Sequence, residues 1–203
     1  MTIERRDFLV ELGTEELPPK SLRDLQDAFA RGVQQGIDQA GLAHGEIRGY
    51  ATPRRLAVLV KRLATRQPDQ SVRRKGPPIT AAFDAAGQPT RAAIAFAQSC
   101  GVGVEALQRQ EEGKGTFLFY VGTKPGEPTA SLLPGIVSSA LDALPIPKRM
   151  RWGAGEAEFV RPVHWLVMLF GKDVIDATLL DVKAGNLTRG HRFMAPKPIR
   201  ISS

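Results

Sequence analysis

Leu22, Leu25, Phe29, Val33, Ile37 and Ala40 recur at spacings of 3, 4, 4, 4 and 3. That rhythm draws one apolar stripe down an α-helix, and such a stripe must be covered by the rest of the fold. Pro18-Pro19 opens the helix, where a missing backbone N–H costs nothing, and Gly41 stops it. Before it, Phe8-Leu9-Val10-Glu11-Leu12 reads as a strand that turns at Gly13-Thr14-Glu15-Glu16. After it, Glu46–Ala51 and Leu56–Leu63 read as two strands joined by the turn Thr52-Pro53-Arg54. The first 64 residues therefore predict a β-α-β-β unit.

Residues 65–90 are rich in Pro, Gly and charge and are expected to form a linker or a loop-rich insertion. A short helix follows, with Ala93, Phe96, Ala97 and Cys100 on one face and Gly101 as its stop. Thr116–Val121 is strand-like. Leu132, Leu133, Ile136, Val137, Ala140, Leu141 and Leu144 form a second amphipathic helix, with Pro134 expected in or near its first turn. Val163–Phe170 reads as a buried strand, with further strands near Val174–Val182 and Thr188–Phe193. The fold class expected is α+β, with largely antiparallel sheets and two main amphipathic helices, as one composite unit or two packed subdomains. Residues 91–203 would be the second α+β unit, and the alternating Ile199-Arg200-Ile201 near its end reads as the front part of something longer.

No apolar run approaches the ~20 residues of a membrane span, and the N-terminal residues lack a signal-peptide apolar region. The single cysteine, Cys100, excludes an internal disulfide and a multi-cysteine metal site, and a cytoplasmic location is expected. The net charge of +7 is unevenly placed. Residues 48–75 hold 9 Lys/Arg against 1 Asp/Glu, and residues 146–203 hold 10 against 5, whereas 1–47 and 76–145 are net acidic. If folding joins the two basic blocks, they make one face suited to a polyanion; if not, the charge serves solubility.

The densest cluster is Ile146-Pro147-Lys148-Arg149-Met150-Arg151-Trp152-Gly153, followed by Val160-Arg161-Pro162-Val163-His164-Trp165. Arginine pairs with phosphate bidentately, and indole faces accept a base or a guanidinium. Arg54 and Arg55 flank a turn, and Arg189, His191 and Arg192 form a third group. Candidate RNA contacts are thus Arg54, Arg55, Lys148, Arg149, Arg151, Trp152, Arg161, His164, Arg189, His191 and Arg192. The competing reading for each is structural: ion pairs, core edges, or a histidine satisfied at a strand end. Glu15-Glu16 reads as charge compensation at a helix N-terminus rather than an acid/base pair. His44 has no obvious partner, Cys100 reads as a small core residue, and Gly113-Lys114-Gly115 lacks the context of a phosphate loop and reads as a turn. No catalytic residue and no metal ligand set is identified.

Several blocks taken together resemble the β subunit of bacterial-type, two-subunit glycyl-tRNA synthetases. They are Phe8–Pro19, Thr52–Leu56, Lys75-Gly76-Pro77, Ala82-Phe83-Asp84 with Gly87, Pro89-Thr90 and Ala93, Ile146–Gly153, Phe159–His164 and Gly190–Phe193. The resemblance implies a class II ligase that attaches glycine to tRNA(Gly) using ATP, assembled as a heterotetramer of α and β subunits. It places glycine, ATP and Mg on the α subunit, so no cofactor is expected on this chain and the chain alone should be inactive. It also implies two partners, the α subunit and tRNA(Gly), and that this stretch is the N-terminal portion of a longer β subunit. Two rivals remain from the residues alone. One is a stand-alone RNA-binding module, and the other is a small enzyme using His164 or His191.

Overall fold

The computed structural model describes residues 3–113, 115–195 and 197–202. The chain begins with β1 (Arg5–Thr14) and passes through a single 3-10 turn into α1 (Leu22–Gln39). It continues as β2 (Ile47–Thr52), β3 (Arg55–Ala64), β4 (Gln70–Pro78), α2 (Ile79–Ala82), α3 (Arg91–Ser99), β5 (Gln108–Glu112) and β6 (Gly115–Lys124). Then come α4 (Thr129–Asp142), β7 (Met150–Arg151), β8 (Glu158–Phe159), β9 (Val163–Phe170), β10 (Asp173–Val174) and β11 (Thr178–Leu179). The last strands are β12 (Val182–Gly185), β13 (Leu187–Arg189) and β14 (Pro198–Arg200). This is the expected α+β class with mostly antiparallel pairing.

Two compact units result: one from the chain up to Pro68 together with Glu127 onward, the other from Asp69–Gly126. The division differs from the expected boundaries at 64 and 90. The stretch expected to form a linker or a loop-rich insertion contains β4, whose residues Arg73, Arg74 and Lys75 pair with Val121, Tyr120 and Phe119. Its polar composition is that of an exposed edge strand, which carries no apolar alternation to betray it.

In the first unit β1 is central, antiparallel to β3 on one side and to β9 on the other. Beyond β3 lies β2, and beyond β9 lies β12, the latter in parallel register. The two-residue period sorts the side chains of β1 onto opposite faces. Phe8, Val10 and Leu12 align with Val60, Val58 and Leu56 and with Phe170, Met168 and Leu166. All nine are buried in one core with Leu25, Phe29, Val33 and Ile37 of α1 and Leu133, Val137 and Leu141 of α4. Each such side chain contributes about 1.5–3 kcal/mol. The helical stripe is thereby accounted for: it faces the sheet.

Alpha helices α1 and α4 approach closely at glycine. A Cβ on Gly36 would lie 2.7 Å from Cγ2 of Ile136, and one on Gly32 would lie 2.9 Å from Cβ of Ala140. Pro134 lies in the second turn of α4, one turn deeper than expected, where it leaves the Ala130 carbonyl without its helical donor. At the other end of the sheet the β1–β3 register slips between Arg6 and Phe8. Arg62 there takes a left-handed φ of 49°, and its N–H donates to Asp7 Oδ1 at 2.9 Å. The expected strand over 174–182 is instead the three short strands β10, β11 and β12. The last two meet in a tight turn whose central residues, Leu180 and Asp181, both have positive φ.

The second unit is a three-stranded antiparallel sheet in the order β4-β6-β5. Ala82, Ala93 and Leu118 form its small core, with Ile79, Phe83 and Phe96 packed around it. Gly113 precedes β6 in a turn, while Lys114 lies outside the described residues. Among the described residues no helix is long and apolar enough to cross a membrane.

Candidate functional site

The face of the central sheet opposite α1 and α4 carries the alternate residues. There Gly13 of β1 sits between Arg55 of β3 and Trp165 of β9 in direct cross-strand register. One row inward lies Glu11, buried at 5% exposure. Glu11 Oε1 accepts from Trp165 Nε1 at 2.9 Å and from the Thr188 hydroxyl of β13, and its Oε2 lies 3.4 Å from Arg55 Nε. One carboxylate therefore ties β1, β3, β9 and β13 together. Gly13 is required by contact, because a Cβ there would lie 1.9 Å from the nearest atom of the Trp165 ring. The indole lies flat where that Cβ would be, with the Arg55 and Arg189 guanidiniums 5.9 and 5.8 Å from its ring centroid.

Above this floor opens a cavity of about 770 Å³. Its rim is drawn from four stretches of chain: Glu15-Glu16, Thr52–Arg55, His164-Trp165 and Arg189–Ala195, without Met194. Arg54 Nη2 donates to Glu15 Oε1 at 3.0 Å, and His164 Nε2 meets the same oxygen at 2.8 Å. The His164 hydrogen bond, reinforced by the charges of Arg54, His164 and Arg192, holds the Glu15 carboxyl below its ordinary range. Arg55 donates to the Arg189 carbonyl and so pins the start of the last stretch. Two guanidiniums remain without an ion pair or hydrogen bond among the described residues. Arg189 rests on Trp165, and Arg192 lies 5.6 Å from the Phe193 ring. The N–H groups of Phe193 and Met194 both point at His191 Nδ1, at 3.3 Å. That makes Nδ1 the acceptor and leaves the proton on Nε2, which has no partner among the described residues.

The cavity thus gathers six of the candidate residues, Arg54, Arg55, His164, Arg189, His191 and Arg192, from both basic blocks. With four arginines against Glu15 and Glu16, its rim is net cationic. The other five candidates are not in its lining. Arg149 is committed to the end of α4, donating to the Asp142 carbonyl at 2.7 Å and reaching the Leu141 carbonyl at 3.4 Å. That is a helix C-cap, favoured by the negative end of the dipole. Trp152 packs against the main core. Arg151 pairs with Glu158 at 2.8 Å across the β7–β8 ladder, and Lys148 is exposed. Arg161 donates to the Glu16 carbonyl at 3.0 Å and so braces the rim from behind.

Two expectations about the remaining polar groups change. Glu15 is bound to Arg54 and His164 rather than to a helix terminus, because α1 starts only at Leu22, with Asp24 in its first turn. His44, expected without a partner, meets Asp38 Oδ1 at 3.0 Å and the Gly45 carbonyl at 2.7 Å. Trp165, Glu11 and Phe193 are the site residues missing from the sequence-derived set. A glycine paired across a ladder with a tryptophan is a signal only once strand register is known.

Residues 8–203 match the family described as glycyl-tRNA synthetase beta subunit. A glycine–tRNA ligase beta subunit from Hahella chejuensis is 55% identical over 201 residues, 99% of this chain and 29% of the relative. Those from Marinobacter nauticus and Pseudomonas aeruginosa are 54% and 55% identical over 97% and 98% of the chain, and 28% of each relative. The chain belongs to the glycyl-tRNA synthetase β-subunit family and spans under a third of the length of these relatives. Membership in a ligase subunit family favours this reading over a stand-alone RNA-binding module.

Proposed function

We propose that this chain is the N-terminal part of the β subunit of a two-subunit, class II glycyl-tRNA synthetase, where it presents a basic cavity to tRNA(Gly) and helps to hold the α subunit. The convergence of four arginines from two distant basic blocks on one aromatic-walled cavity, two of them unpaired among the described residues, supports the tRNA part of this reading. Arg54, Arg55, His164, Arg189, His191 and Arg192 are the proposed contacts. Lys148, Arg151 and Arg161 add positive charge outside the cavity, and Arg149 and Trp152 serve chiefly to hold the α4–β7 connection. ATP, Mg and glycine belong to the α subunit, within a cytoplasmic α/β heterotetramer. The chain alone should then give no glycine-dependent ATP–pyrophosphate exchange, and measurable exchange would remove the assignment of the chemistry to its partner.

Three to five phosphate contacts give a slope of log K against log salt of roughly −2 to −4. Changing Arg189 and Arg192 together to Ala should weaken binding about equally for tRNA(Gly) and a non-cognate tRNA and flatten the slope by ~1–2. Titrations at several salt concentrations decide it. An unchanged slope and affinity in the double variant would take tRNA away from this cavity.

A further inference from the structure

We infer that the cavity takes an unpaired, phosphate-bearing nucleotide of the RNA, a chain end or a flipped-out residue, rather than the flank of a duplex. The inference rests on the tRNA reading above and specifies what enters the site.

Shape is the first ground. A duplex, whose major groove alone is ~12 Å across, is too broad to enter a small cavity and could touch only its rim. Here the cations surround a concavity of about 770 Å³, within the range of small-ligand sites. The second ground is the distribution of polar and flat groups. Among the described residues, Arg189, Arg192 and the Nε2–H of His191 have no hydrogen bond or ion pair, and all three belong to one short stretch of the rim. They suit one phosphate rather than a row of them. Beside them Phe193 is 81% exposed, with the Arg192 guanidinium 5.6 Å and the tilted His191 ring 6.2 Å from its ring. This is a stacking ledge that a base in a helix could not reach without leaving its stack. The third ground is the carboxylates. Glu15 and Glu16 sit on the same rim, and Glu16 has no side-chain partner among the described residues. They repel a continuous polyanion, yet they can accept from ribose hydroxyls or a base amino group while one phosphate sits at the arginine pole.

Competition on the 203-residue chain tests this, with fluorescent tRNA(Gly) as the bound probe. The competitors are a 5′-phosphorylated single-stranded RNA hexamer, the blunt duplex of the same sequence, and inorganic phosphate. The single strand should displace tRNA at least tenfold more effectively than the duplex, and inorganic phosphate should be weaker still. Arg189→Ala should lower the single strand's affinity at least tenfold. Arg189→Lys, which keeps the charge but loses the flat guanidinium over Trp165, should recover only part of it. Circular dichroism and melting curves confirm that both variants fold. Equal competition by duplex, or phosphate matching the single strand, overturns the inference. If tRNA binds and is sensitive to Arg189 but the single strand does not compete, the inference falls and the tRNA reading stands. If tRNA itself does not bind, both fall.

Discussion

Removing the Glu11 carboxylate should unsettle the floor of the cavity more than any change on its rim. Glu11 is 5% exposed, accepts from Trp165 Nε1 and the Thr188 hydroxyl, and pairs by charge with the Arg55 guanidinium, so it meets three other strands. Glu11→Ala strands the indole N–H and the hydroxyl and removes the charge facing Arg55. Breaking a buried ion pair from one side costs about 3–5 kcal/mol, and an orphaned buried donor about 1–3 kcal/mol. These costs overlap, since Arg55 still holds the Arg189 carbonyl and its side chain is 30% exposed, so water can reach part of it. A net loss of about 3–4 kcal/mol follows, or roughly 8–15 °C in Tm for a unit of this size. Glu11→Gln keeps an acceptor for the indole and the hydroxyl but sets an amide NH2 against Arg55 in place of the charged oxygen, so it should cost less than Glu11→Ala but more than the lost charge alone. Urea denaturation of wild type, Ala and Gln variants, followed by tryptophan fluorescence and far-UV circular dichroism, separates the cases. Equal losses for Ala and Gln would show that charge alone matters, and a loss under ~1 kcal/mol for Ala would refute the buried node altogether.

Gly13→Ala places a methyl group inside the space of the Trp165 ring, so the indole must swing out; overpacking of this kind costs about 1–3 kcal/mol, and a near-UV circular dichroism spectrum identical to wild type would contradict the placement. Asp7 is held below the ordinary carboxylate range, chiefly by its hydrogen bond from Lys61 and then by the Arg62 N–H. Because its folded value is depressed, its contribution is present above the ordinary carboxylate range and is lost as pH falls through the depressed value. Asp7→Asn should flatten that acid limb in melting curves taken between about pH 5 and pH 2, and an unchanged limb would remove the bulge contact as its cause.

Much of the fold was legible because it is periodic. The 3-and-4 spacing of Leu22 through Ala40 names a helix and its buried face without reference to any other residue. The cavity is different in kind. Its residues come from stretches around positions 15, 53, 164 and 190; the pairing of β1 with β3 and β9 joins the first three, and the contacts of Arg55 with the Arg189 carbonyl and of Thr188 with Glu11 bring in the fourth. Arginine and tryptophan lie close together along the chain at Lys148–Trp152, yet none of that stretch lines the cavity. Whether Arg149 faces solvent or the open carbonyls at the end of α4 depends on where that helix stops and how the chain turns back, and neither is a local property. Strand β4 was hidden for the opposite reason: a charged edge strand has no apolar pattern to read.

The central place of β1 has a consequence for how the chain is made. Its edge toward β3 can close once residue 64 has been synthesised, but its other edge waits for β9, whose first residue is 163. At ~5–20 residues per second, the ribosome spends roughly 5–20 s between those two points. For that interval β1 holds an unpaired backbone edge, and its apolar row, Phe8, Val10 and Leu12, has α1 to cover it but gains α4 only after residue 142. A nascent chain stalled between residues 64 and 163 should therefore be a preferred client of chaperones that bind extended apolar strands, and one released after β9 should not.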